Sequence, residues 1–204
     1  MNAPQRLSYL TLAKLWLPRR TWIRDALLVL GGSLLVALLA QVSVPLPFTP
    51  VPFTGQTLGV LLVGAALGSR LGSLSMLLYL VEGGVGLRVF AGGGSGLGVL
   101  LSVDGGYLIA CPLAAALVGY AVERFGADRR ALGVLVAFAL GSATFYLLGV
   151  SGLSLVLAAS GHPVSLGTAL QLGMWPFLPG DLIKALLAAA LLPGSWALVQ
   201  RRRD

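Results

Sequence analysis

Asp181 and Lys184 stand three positions apart at the head of an apolar run, PFLPGDLIKALLAAALL, over residues 176–192. Insertion scales put the cost of a charged side chain at a membrane helix centre at about 2.5–3.5 kcal/mol, so an acid and a base kept together in such a run need a purpose. Positions i and i+3 share a helix face, so both heads can address one object inside a bundle. A carboxylate accepts two parallel N–H donors, and an ammonium offers three donors to a carbonyl or a carboxylate. Gly180 leaves room for close approach, and the helix start adds partial positive charge. The pair reads as a ligand-binding site; the competing reading is a mutual salt bridge with Lys184 snorkelling toward the interface.

Other polar residues are weaker candidates. Gln56, Tyr79, Tyr107 and Trp175 carry polar tips suited to lining a pocket, although such residues also form interfacial belts. Glu82 and Arg88 suit a structural ion pair, and Asp104 suits a helix cap. The glycine-dense stretch 83–98 lacks the Gly-x-x-x-x-Gly-Lys of a phosphate-binding loop and reads as a lid over a pocket. Gly149-Val150-Ser151-Gly152 matches the Gly-x-Ser-Gly pattern of rhomboid intramembrane proteases. A serine nucleophile needs a histidine within reach, and the lone His162 lies eleven residues on in a loop beside Pro163. One cysteine, Cys111, leaves no basis for a disulfide or a thiolate metal site, and the single histidine removes most histidine-based metal chemistry.

The elements that must position these residues follow from composition. The chain has 204 residues, 57% hydrophobic and 10% charged, with a mean hydropathy of +0.91. Soluble domains carry about 25% charged residues, so this is an integral membrane protein. Apolar runs place six spans at about 22–44, 56–68, 71–87, 105–125, 131–159 and 180–199. The expected fold is an all-α compact bundle of six transmembrane helices in one domain over 22–200. Residues 1–21 form an N-terminal tail, with 7–17 suited to an interfacial helix, and 201–204 form a basic tail. Pro45, Pro47, Pro50 and Pro52 keep the first loop extended, because proline lacks a donor and disfavours helix before it. Such backbone survives near a membrane only where protein or water satisfies it, as in a loop folded over a cavity mouth.

The net charge of +7 marks topology rather than nucleic acid. With six spans and both termini inside, twelve of the fourteen basic residues fall on cytoplasmic segments; only Arg88 lies in an outer loop, and Lys184 lies in the last span. The proline loop, the glycine loop, His162, Trp175 and the Asp181/Lys184 end then converge on the outer side. Arg19, Arg20 and Arg24 precede a full-length span, and no cleavable signal pattern is evident.

Residues 41–58 (QVSVPLPFTPVPFTGQTL), 78–94 (LYLVEGGVGLRVFAGGG), 105–109 (GGYLI) and 176–185 (PFLPGDLIKA) together resemble the BioY family, the biotin-specific substrate-binding components of energy-coupling-factor (ECF) vitamin transporters. The likeness covers roughly 22–125 and 173–195, and the fifth span adds nothing to it. It implies a multi-pass protein of a prokaryotic cell membrane that captures biotin on its outer face, uses no cofactor, and is not an enzyme. It also implies partnership with a transmembrane coupling protein and two ATPase subunits. The family's biotin contacts carry over to Asp181 and Lys184, and Gln56 matches its pattern. Biotin's ureido ring, with two N–H donors and a carbonyl, suits that pair. The chain departs from the family at Gly94, where a polar residue is usual and the adjacent Ser95 or a water is the substitute. It departs again at Ser102-Val103-Asp104, where the family's Gly-Pro-x precedes Gly-Gly; the change adds a carboxylate near the mouth. The alternatives are a component for a different vitamin and the rhomboid-like protease.

Overall fold

The computed structural model describes residues 11–13 and 21–201. Within 21–201 there are seven α-helices: α1 (Trp22–Gln41), α2 (Gln56–Gly84), α3 (Leu97–Leu100), α4 (Gly105–Phe125), α5 (Ala131–Ala159), α6 (Leu166–Gly173) and α7 (Leu178–Arg201). A two-stranded antiparallel ribbon, β1 (Ser43–Val44) with β2 (Phe53–Thr54), pairs Ser43 with Thr54 and Val44 with Phe53. Five helices, α1, α2, α4, α5 and Leu178–Trp196 of α7, are long and apolar enough to cross a membrane, as befits a multi-pass membrane protein.

Burial ranks the helices. Sixty-one per cent of the apolar window of α4 is covered by protein, against 28% in α1 and α5. The α4 helix is therefore central, while the outer faces of α1 and α5 show Leu27, Leu34, Leu38, Leu140, Leu147 and Leu155, as lipid-facing surfaces do. Small residues let the backbones close on α4. A Cβ on Gly64 would lie 2.5 Å from the Ala115 carbonyl oxygen, and one on Gly106 would lie 2.3 Å from the Leu148 carbonyl oxygen. Such small-residue seams are the usual means of tight helix packing in lipid, where apolar contact alone gives little preference for protein over acyl chains.

The expected second and third spans are joined without an intervening loop, inside α2. Gly68 breaks the helix at φ 87°, ψ 178°, a conformation L side chains rarely adopt. A Cβ on Gly72 would lie 3.0 Å from the Gly64 Cα, whereas an unbroken helix would hold these residues about 12 Å apart. The chain thus reverses at Gly68 into two arms, 56–67 and 69–84. Glu123 of α4 secures the reversal by accepting from the Ser69 amide and hydroxyl at 3.3 and 2.6 Å.

At the same end of the molecule, Thr11 is fully buried and Leu12 packs on the core. The Arg24 guanidinium there donates to the Ala13 carbonyl at 2.8 Å. The rest of the expected interfacial helix at 7–17, and the basic tail from residue 202 on, lie outside the described residues. Asp128, in the turn between α4 and α5, is buried and accepts from the Trp196 indole N–H, with the Arg129 guanidinium 4.3 Å over that ring. Burial holds the Asp128 carboxyl above the usual carboxylate range.

Several expected boundaries shift. The first helix stops at Gln41 rather than Val44, because the strand pairing of β1 competes for Ser43 and Val44 ahead of the prolines. The last helix starts at Leu178, which puts Pro179 in its first turn, where a missing N–H is harmless. Helix α6 has no counterpart among the expected spans; Ser165 caps it by accepting from the Thr168 amide. Asp104 occupies the N-cap position of α4 but makes no capping bond. Glu82 accepts from Ser33 of α1 at 3.2 Å instead of pairing with the exposed Arg88, so the expected ion pair is not formed.

Candidate ligand-binding site

At the end of the bundle opposite Gly68, the Pro-rich segment folds down between α5, α6 and α7. Val51 is buried against Leu153 and Phe177, and the Thr49 hydroxyl donates to the Leu172 carbonyl at 2.6 Å. The ribbon carries Phe53 over the start of α7. A Cβ on Gly180 would meet the Phe53 ring at 2.1 Å, so only glycine admits the ring there. Phe53 in turn stacks parallel to Phe177 at 6.5 Å between centroids.

Beneath this cover lies a cavity of about 710 Å³, its open mouth included. Its walls are mostly apolar: Val51 and Pro52 from the loop, Phe90 and Ala91 from the glycine-dense segment, Val99, Leu108 and Phe145 from α3, α4 and α5, and Phe177 from the turn before α7. Its polar lining is Thr54, Gln56, Thr57, Asp104, Tyr107, Tyr146, Asp181 and Lys184.

Asp181 and Lys184 form an ion pair at 3.0 Å, with side chains only 14% and 12% exposed. The Lys184 ammonium also donates to Thr57 Oγ1 at 2.7 Å and sits 4.3 Å over the Phe53 ring. The other carboxylate oxygen of Asp181 accepts from the Tyr146 hydroxyl. One N–H of the ammonium and at least one carboxylate lone pair therefore remain to be addressed from the cavity. Held by donors from α2 and α5 as well as by its own helix, the pair is oriented before any ligand arrives. A neutral group offering N–H beside C=O matches what is left over, and the aromatic and aliphatic walls suit an apolar ring body.

Of the residues singled out in the sequence, Asp181, Lys184, Gln56 and Tyr107 come together in this lining. Gln56 donates to Cys111 Sγ at 3.6 Å, and the Tyr107 hydroxyl donates to the Gly173 carbonyl at 2.7 Å, which ties α4 to α6. Ser95 and Trp175 do not line it. Trp175 is 57% exposed, and Tyr79 is buried in the core with its hydroxyl on the Val89 carbonyl.

Two polar lining residues that hold the pair, Tyr146 and Thr57, were not anticipated as contacts. Tyr146 sits in the span whose sequence is least distinctive. Thr57 is next to the candidate Gln56 in the first turn of α2, and that adjacency was the one usable signal. Asp104, read both as a cap for α4 and as a carboxylate added near the mouth, makes no capping bond and lines the cavity, where burial pushes its carboxyl up to about 6.

The Gly149–Gly152 pattern has a packing role. A Cβ on Gly149 would meet the Tyr107 ring at 2.2 Å, and one on Gly152 would lie 2.8 Å from the Gly106 Cα. Ser151 donates to the Leu147 carbonyl of its own helix, and His162 is exposed. The two are not hydrogen-bonded to each other.

Fold and cavity together define a helical bundle of multi-pass membrane type with a cavity near one end suited to a small ligand. The model of the BioY family matches residues 8–201, and the chain belongs to that family. It is 39% identical over 170 residues to the biotin transporter BioY of Rhodobacter capsulatus, covering 79% of this chain and 86% of that one. It is 35% identical over 175 residues to the biotin transporter BioY of Rhizobium etli, covering 82% and 90%. Its fold is similar to the crystal structure of the S-component for biotin from an ECF-type ABC transporter, with a TM-score of 0.74 at 23% identity over the whole of this chain and 95% of the other.

Proposed function

We propose that this chain is a biotin-binding transporter component that holds the ureido ring against Asp181 and Lys184. The observation that carries the reading is the buried pair itself, fixed by Thr57 and Tyr146 at the wall of an apolar cavity. Asp181 accepts a ureido N–H, Lys184 donates to the ureido carbonyl, and Gln56 and Tyr107 border the ring. Biotin's two fused rings present apolar surface to Phe90, Phe145 and Phe177. Ser95 and Trp175 contribute only after the loops close, since neither borders the cavity in this structure.

Residues 22–200 act as one domain of six membrane crossings, the two arms of α2 each counting as one. The 56–67 arm is about 18 Å long, short of the roughly 30 Å hydrocarbon core. Its outer end, and the cavity with it, therefore lie below the outer surface. Both termini and the Gly68 reversal face the cytoplasm of a prokaryotic cell, as the concentration of basic residues at that end supports. Energy comes from two ATPase subunits acting through a transmembrane coupling protein; the outer loops close over biotin, and ATP hydrolysis by the partners reorients the bundle.

Equilibrium binding of labelled biotin to the purified chain, beside Asp181→Asn and Lys184→Ala, tests the assignment. Both substitutions should abolish tight binding. Unchanged affinity in both would sink the site, and a wild type that binds another vitamin but not biotin would sink the ligand.

A further inference from the structure

The charges around the cavity do not balance. Its lining holds two carboxylates, Asp104 and Asp181, but one cation, Lys184, which is already committed to Asp181 at 3.0 Å. The Asp104 carboxylate has no ion-pair or hydrogen-bond partner among the described residues, although its backbone is fixed: its amide donates to Ser102 Oγ at 3.2 Å, and its carbonyl accepts from the Leu108 amide at 3.0 Å. The elements packed around it bring no relief. The proline loop, α3 and the α2 wall contribute no titratable group to the lining; α4 adds Tyr107, α5 adds Tyr146, and α7 adds only the neutralised pair. Arg88, the basic residue of the neighbouring loop, is exposed and does not line the cavity.

A ligand with a carboxylate tail, held by its ring at Asp181 and Lys184, therefore meets a second carboxylate and no free cation. Like charges in a space with little water disfavour joint ionisation. We propose that Asp104 makes ligand binding proton-linked: an anionic ligand enters together with one proton, which is held on the Asp104 carboxyl. The protonated carboxyl then donates its O–H, and repulsion becomes a hydrogen bond to the ligand's tail. Asp104 is thus a specificity residue that distinguishes charged from uncharged tails. The inference rests on the biotin reading above, and burial supports it by already bringing the group to about 6 in the free protein.

The sign follows from linkage. Binding of the anion raises the proton affinity of Asp104, so binding is strongest below about pH 6 and weakens as pH rises beyond it, approaching tenfold per pH unit. The test measures Kd for biotin and for its uncharged methyl ester from about pH 5.5 to 8 on the purified wild type and on Asp104→Asn. Wild type should lose affinity for biotin with rising pH while its affinity for the ester changes less than about twofold. Asp104→Asn should bind biotin with a flat profile near the wild-type acid limit. The biotin-to-ester comparison needs no variant, so it stands even if Asp104→Asn misfolds. A flat wild-type profile, an equal slope for the ester, or a slope that survives in Asp104→Asn would overturn the proposal. Absence of biotin binding at every pH would instead overturn the ligand assignment beneath it.

Discussion

Tyr146→Phe removes one oxygen atom from the site and leaves the ring's packing in place. That oxygen is the donor to one side of the Asp181 carboxylate, whose other side takes Lys184 at 3.0 Å and the Thr57 hydroxyl at a long 3.5 Å. A hydrogen bond to a charged group contributes about 1.5–3 kcal/mol. With the Asp181 side chain 14% exposed, little water can enter to replace the phenol. The free and ligand-bound states both lose the bond, so its full value does not appear in affinity. What affinity loses is the orientation of the carboxylate toward the ligand, about 1.4 kcal/mol or tenfold in Kd; the remainder appears as lower stability of the free protein. Isothermal titration or filter binding of labelled biotin gives the first quantity, and thermal unfolding in detergent gives the second. Kd within twofold of wild type, in a preparation where Asp181→Asn does lose binding, would refute the view that Tyr146 positions Asp181.

Three further outcomes follow from the packing. Gly106→Ala places a methyl group against the Leu148 carbonyl and the Gly152 backbone, so α4 and α5 must separate; a loss of about 1–3 kcal/mol is expected in unfolding experiments, with weaker biotin binding because Tyr107 and Tyr146 move apart. Trp196→Phe deprives the buried Asp128 of its indole donor and should cost about 1–3 kcal/mol near neutral pH. Since burial already holds the Asp128 carboxyl above its usual range, and losing the donor raises it further, that deficit should narrow as pH falls and the carboxyl protonates in both proteins; unfolding measured at several pH values checks the trend. Ser151→Ala combined with His162→Ala should leave biotin uptake by cells unchanged, because neither side chain borders the cavity; loss of uptake with normal membrane levels would reopen the hydrolase reading.

Apolar runs and their interruptions are local properties, so helix positions could be read directly. The expected spans at 105–125 and 131–159 coincide with α4 and α5. The Asp181/Lys184 pair was legible for the same reason: two charges in an apolar run are conspicuous, and a three-residue spacing on a helix decides that they share a face. Departures from the bundle's periodicity, such as the proline cluster, also announced themselves, and that segment does cover the cavity.

What tertiary structure alone decided is which residues from distant segments meet. Tyr146 lies 35 positions before Asp181, in a span where an aromatic reads as belt or core, and only the packing of α5 on α7 turns its hydroxyl toward the carboxylate. Trp175 had the same credentials and faces outward. The apolar runs at 56–68 and 71–87 do not show that Gly68, at φ 87°, is the point where α2 reverses and brings Gly72 against Gly64. Asp104 is the sharpest case. Its type and position suited a helix cap as well as a carboxylate near the mouth, and nothing local decides between the two; that choice depends on where the glycine-dense segment and α7 put the empty space. Sequence thus specified the long apolar helices and the charged pair, though not the short α6, because hydropathy and helical spacing act over a few residues. The partners of that pair, and the unmatched charge beside it, were set by contacts across more than thirty positions of chain, which only the folded bundle brings within bonding distance.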